Sequence, residues 1–122
     1  MAAAMLSDHI LFIDAEAIVL DKPAGLPVDA PRRGGDSVAA RVHELKCGFK
    51  RPPAAMHRLD TDTSGCLLFA RSPKARAQFQ KAFEGRQVEK YYIAVVASEI
   101  AKEAGLSTCR WRNIRPQRRD GG

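Results

Sequence analysis

His57-Arg58-Leu59-Asp60-Thr61-Asp62-Thr63-Ser64-Gly65, continued by Cys66-Leu67-Leu68-Phe69-Ala70, sets a run of polar and ionisable groups directly against an apolar segment. From Gly65 to Ala70 the chain is apolar at both alternating positions, which predicts a strand covered on two faces and puts Cys66 in the core. The nine residues before it then form a loop held against a rigid element, the setting in which reactive groups are fixed yet reachable. Asp60 has the chemistry of a nucleophile, a general base or an electrostatic stabiliser, and Arg58 that of a counter-charge or an anion clamp. The same residues also satisfy a plainer description, a turn with a local ion pair. Thr61, Thr63 and Ser64 supply hydroxyls for the loop, and Gly65 allows a turn that a side chain would block.

Working outward, residues 10–14 and 17–22 are short apolar runs with an acidic turn between them, a predicted hairpin. Residues 22–35 follow as a loop with three prolines and three glycines. Asp36 or Ser37 caps a predicted helix over residues 38–46 with Val38, Val42 and Leu45 inward and His43 at the surface. Lys50-Arg51-Pro52-Pro53 reads as an extended basic approach to the central loop. Ser72-Pro73 is a helix start, Ala75, Phe79, Ala82 and Phe83 recur at helical spacing, and Gly85 is the stop. Lys74, Gln78 and Lys81 then share an outer face that is either solvated or turned to an anionic partner. Residues 88–97 alternate as the longest predicted strand, with Lys90, Tyr92, Ala94 and Val96 on one side. The order strand, strand, helix, strand, helix, strand predicts a mixed α and β (α+β) domain.

The chain has 122 residues, 45% of them apolar, enough for one small domain with a real core. The formal charge of +6 and pI near 9.6 favour an anionic partner. Distribution weakens this. Residues 107–122 hold five arginines and one aspartate, while the rest holds fifteen basic and thirteen acidic groups. Cys47, Cys66 and Cys109 make no C-x-x-C pair, which argues against a disulfide framework or a zinc site and for a reducing compartment. The opening Met-Ala-Ala-Ala-Met-Leu lacks the form of a signal peptide, and no run approaches membrane-spanning length. A soluble cytoplasmic protein is expected.

His57-Arg58-Leu59-Asp60 with Thr63-Ser64-Gly65 resembles the HRLDxxTSG signature of RluA-type pseudouridine synthases, with all seven specified positions matched. Lys22-Pro23-Ala24-Gly25-Leu26-Pro27-Val28 is similar to the family's first motif. Lys90-Tyr91-Tyr92-Ile93-Ala94-Val95-Val96 is similar to its K-x-Y-x-A-x-V strand. The resemblance covers about residues 9 to 100. It implies the N-terminal part of that family's fold, a mixed, mostly antiparallel sheet with flanking helices and a cleft across one face. It also implies isomerisation of uridine to pseudouridine in ribosomal or transfer RNA. Asp60 is then the catalytic carboxylate and Tyr92 the residue stacked on the flipped uracil. Arg58 fills the vacated space in the RNA, while His57, Lys90 and Lys22 lie with it on the RNA-binding side. No metal, organic cofactor or membrane is implied, and a monomer is expected.

The predicted organisation is a flexible start over residues 1–8, a partial catalytic domain over 9–106 and a basic tail over 107–122. The tail is polar, arginine-rich and aperiodic, the composition of a disordered segment. It departs from the family, whose members continue with a G-R-T-H-Q-L-R stretch that brings a basic partner to the aspartate. Read one base earlier, the tail can be given codons that spell a family-like Ile-Asp-Leu-Pro-Leu segment, so a single-base deletion near Leu106 is expected. The alternatives to an active synthase are an inactive RNA-binding remnant and a fragment without function.

Overall fold

The computed structural model describes residues 5–97. The chain divides after Lys90 into two units. In the second, residues 91–97 form neither helix nor strand.

The first unit opens with a short 3-10 helix, Leu6–His9, and then the predicted hairpin, β1 (Ile10–Ile13) and β2 (Ala17–Lys22). Asp14 closes the turn, its carboxylate accepting the N–H groups of Glu16 and Ala17 at 2.8 and 2.7 Å. β3 (Ala54–Ala55) and β4 (Gly65–Ala70) complete an antiparallel sheet of order β1-β2-β4-β3. The mixed α and β architecture agrees with the sequence reading. β3 was not foreseen there: two residues released by Pro52-Pro53 pair with the end of β4, at an edge where prolines without N–H groups do no harm.

In β2 and β4, Ile18 stands opposite Phe69 and Leu20 opposite Leu67, all four buried. They join Leu6, Val28, Val38, Leu45 and Leu59 in one core against the inner face. The opposite face is only partly covered, by α1 (Pro73–Glu84), whose Ala75 is buried. The two-sided cover expected for β4 is therefore corrected. Cys66 lies on the open face toward the N-terminal end of β4 and is exposed, so it is no core thiol.

The helix expected over residues 38–46 is a 3-10 helix, Ala39–Leu45, bonded from Arg41 N to Val38 O and from Lys46 N to His43 O. Seven residues offer few four-residue bonds to repay nucleation. The Ser37 hydroxyl accepts from Ala40 N at 3.0 Å, three residues on. Val38 and Leu45 are buried and His43 is exposed, as predicted. Helix α1 starts as predicted, with Ser72 Oγ accepting from Ala75 N at 3.1 Å and Pro73 in the first turn. At its other end the left-handed residue is Arg86, φ +53°, rather than Gly85.

The long strand predicted over residues 88–97 is corrected: the segment has no strand structure and is exposed throughout. Alternating apolar residues make a strand only when an edge accepts the backbone ladder. None of the four strands of the described sheet pairs with it.

Candidate active site

From His57 to Asp60 burial alternates, the first and third side chains covered and the second and fourth exposed. His57 is half-buried, Leu59 is buried in the core, and Arg58 and Asp60 are exposed. The covered pair anchors the stretch and the exposed pair is presented. His57 Nε2 accepts the backbone N–H of Leu68 at 3.1 Å, replacing a ladder bond beyond the short β3. Nε2 as acceptor puts the proton of the neutral ring on Nδ1, a buried atom that has no partner among the described residues. Burial holds the His57 pKa below the ordinary histidine range. The Lys90 and Arg58 charges push the same way, and a backbone bond near Arg58 opposes them. The ring packs on Phe83 of α1 with centroids 5.5 Å apart, and Lys90 Nζ lies 5.4 Å from the Phe83 centroid on its other contact.

Asp60 begins a tight turn in which Thr63 N donates to Asp60 O at 3.0 Å. Gly65 then enters β4 at φ +124°. A Cβ there would meet nothing within 4 Å, so glycine is needed for its backbone angle, not because a side chain would be blocked by neighbours.

Lys22, at the end of β2, is fully buried, with Nζ donating to the carbonyls of Pro23 (3.0 Å), Leu26 (2.7 Å) and Thr61 (3.1 Å). Three donors meet three acceptors, so the ammonium is fully hydrogen-bonded. Gly25 N also donates to Thr61 O, at 2.7 Å, joining the 23–26 loop to the turn after Asp60. Burial lowers the Lys22 pKa, while Asp62 and Asp60 act against that shift by stabilising its charge. A lysine enclosed in this way makes no contact with an outside phosphate. Lys22, expected on the RNA-binding side, has its three donors taken up by backbone carbonyls.

Arg58 Nε donates to Asp29 Oδ2 at 2.7 Å, and its Nη1 to the carbonyl of His57 at 3.3 Å. Asp29 was missed in the sequence. It lies one position past the Lys22 to Val28 motif, and no pattern links it to a residue 29 positions away. The pair sits at the rim of a pocket of about 220 Å³ walled by Val28, Val42, Ala55 and Phe69. Tyr92 is exposed in the second unit. Among the described residues, no group of three or more His, Cys, Asp or Glu side chains is placed to hold a metal ion, and no helix is long and apolar enough to cross a membrane.

The sequence model of a family described as RNA pseudouridylate synthase matches residues 16–120. That match runs past Leu106 into the residues read above as a tail, which lie outside the described part. An uncharacterized RNA pseudouridine synthase of Zymomonas mobilis is 48% identical over 102 residues, covering 84% of this chain and 47% of the relative. The dual-specificity RNA pseudouridine synthase RluA of Pasteurella multocida is 36% identical over 117 residues, covering 90% and 51%. The chain thus spans about half the length of the curated relatives it matches. Among solved structures, human RNA pseudouridylate synthase domain containing 4 superposes with a TM-score of 0.57 at 30% identity, over 67% of this chain and 31% of the other.

Proposed function

We propose that this chain, which belongs to the RNA pseudouridylate synthase family, carries the catalytic loop of an enzyme that isomerises uridine to pseudouridine in structured ribosomal or transfer RNA. The observation that carries this reading is the alternation in the signature stretch. Leu59 and His57 are spent on anchoring, while Asp60 and Arg58 are left exposed on a loop tied down by Lys22.

A uridine inside folded RNA hides its glycosidic bond, so the nucleotide has to be extruded, at a cost of about a few kcal/mol in lost stacking. Arg58 holds the extruded state by filling the vacated space and contacting the backbone, and Tyr92 stacks on the freed base. Lys90 adds positive charge on the same side. Asp60 acts at the ribose, either by adding to the anomeric carbon or by removing a ribose proton. In the first route the carboxylate displaces the uracil nitrogen and is itself displaced when the ring carbon attacks; in the second it takes the ribose proton as the carbon–nitrogen bond breaks and returns it as the carbon–carbon bond forms. In both, the uracil turns, the attacking ring carbon loses its proton, and the freed ring nitrogen, which left with the bonding pair, gains one. His57 and Lys22 position the loop rather than touch substrate. The enzyme works in the cytoplasm as a monomer.

The test is pseudouridine formation in uridine-containing RNA by the purified 122-residue chain beside Asp60→Ala. Formation by the wild type and its loss in the variant are expected. Equal product from both would remove Asp60 from the chemistry, and no product from either would overturn the assignment of activity to this chain. RNA retention in that last case would favour a binding remnant.

A further inference from the structure

A second groove lies at the far end of β4 from Asp60. It runs between the approach to β3 and the first turns of α1, with a volume of about 330 Å³. Its floor is Ala54 and Ala70, which face each other across the β3–β4 pairing. Its polar wall is made of Arg51, Arg71 and Arg76, and no carboxylate lines it.

The three arginines differ in how they are held. Arg71 is fixed: it donates to the carbonyls of Asp14 (2.6 Å), Cys47 (3.1 Å) and Lys46 (3.3 Å) and lies 3.7 Å over the Phe49 ring. Those acceptors are all neutral, so its charge stays uncompensated by any ion pair. Arg51 and Arg76 are exposed, and among the described residues neither is in an ion pair. By contrast, Arg41 is paired with Glu44 and Arg58 with Asp29. Guanidinium groups around a concave site bind an oxyanion in preference to a point contact, because each fork offers two parallel donors.

We propose that this groove binds a phosphate of the RNA chain, several nucleotides away from the uridine at Asp60. The inference rests on the reading that the chain acts on RNA. The distance suits it: the six residues of β4 span about 20 Å, a few nucleotides of backbone. Such a contact carries no sequence information. It fixes how the RNA lies while Arg58 and Asp60 act on one nucleotide.

The experiment is binding of a structured, uridine-containing transcript by the 122-residue chain across a salt series. Four proteins are compared: wild type, Arg51→Gln with Arg76→Gln, Arg51→Lys with Arg76→Lys, and Lys74→Gln with Lys81→Gln as an equal charge change on α1 outside the groove. The glutamine pair at the groove should lose affinity about tenfold or more at low salt and flatten the salt slope by about 1, for the one phosphate the groove holds. Both lysine replacements should recover part of the affinity, and the Lys74 and Lys81 pair should change it less. Equal losses in the two glutamine pairs would overturn the groove in favour of bulk charge. So would unchanged binding in the groove pair, or a wild type that retains no RNA. Pseudouridine formation by the wild type at saturating RNA separates the two ideas: product with binding that does not depend on the groove sinks only the groove, and groove-dependent binding without product sinks only the isomerase reading.

Discussion

Lys22 Nζ donates to the carbonyl oxygen of Thr61 at 3.1 Å, so the last residue of β2 is bonded to the residue that follows Asp60. The tie joins two stretches 39 positions apart and sets where the turn of Asp60 stands relative to the sheet. Lys22→Met keeps the apolar stem but leaves the carbonyls of Pro23 and Leu26 without this donor and that of Thr61 with the Gly25 N–H alone. Urea unfolding should show a loss of about 3 kcal/mol. An unchanged midpoint would mean that water replaces the ammonium at no cost.

Gly65 makes a second demand on the same loop. Its φ of +124° lies where L-residues are strained, and the space around its missing Cβ is open. Gly65→Ala should therefore cost about 1–3 kcal/mol through the backbone alone, measured as a lowered unfolding midpoint. Gly25, at φ +91° beside the Thr61 contact, should respond in the same direction.

Much of this was legible in the chain. Local rules placed the hairpin through Asp14, the start of α1 through Ser72-Pro73, and the anchored loop through the polar run before β4. What was not legible depends on partners distant in sequence. Cys66 looked internal because its neighbours are apolar, yet whether a strand face is covered depends on what packs there. Residues 88–97 alternate as a strand should, but alternation gives no information about whether an edge is available. Lys22 looked like a phosphate contact because its charge is visible in the sequence and its three carbonyl acceptors are not.

On the proposed reading, the Arg58 to Asp29 bond holds the guanidinium ahead of RNA binding. Both side chains are more than half exposed, at 59% and 67%, so the pair contributes little to the fold. Asp29→Asn should leave the unfolding midpoint unchanged within about 0.5 kcal/mol. Because a carboxylate would no longer compete with phosphate for Arg58, RNA affinity at low salt should rise a few-fold. A fall in affinity would instead show that Asp29 orients Arg58 productively.

His57 ties the Asp60 loop to β4 only as a neutral ring, because an imidazolium has no lone pair with which to accept the N–H of Leu68. Protonation would break that bond and place a cation beside the Phe83 ring, close to the charges of Lys90 and Arg58. The folded pKa is depressed by burial, so the unfolded chain takes up the proton first as pH falls. The contribution of His57 is therefore complete above the ordinary histidine pKa and is lost as pH drops through the lower folded value. Thermal unfolding between about pH 7 and about pH 5 should show wild-type stability falling more steeply than that of His57→Gln, which keeps an acceptor without titrating. Carboxylates shared by both proteins cancel in the difference. If the two slopes coincide, His57 does not couple the loop to pH, and the Leu68 bond survives by other means.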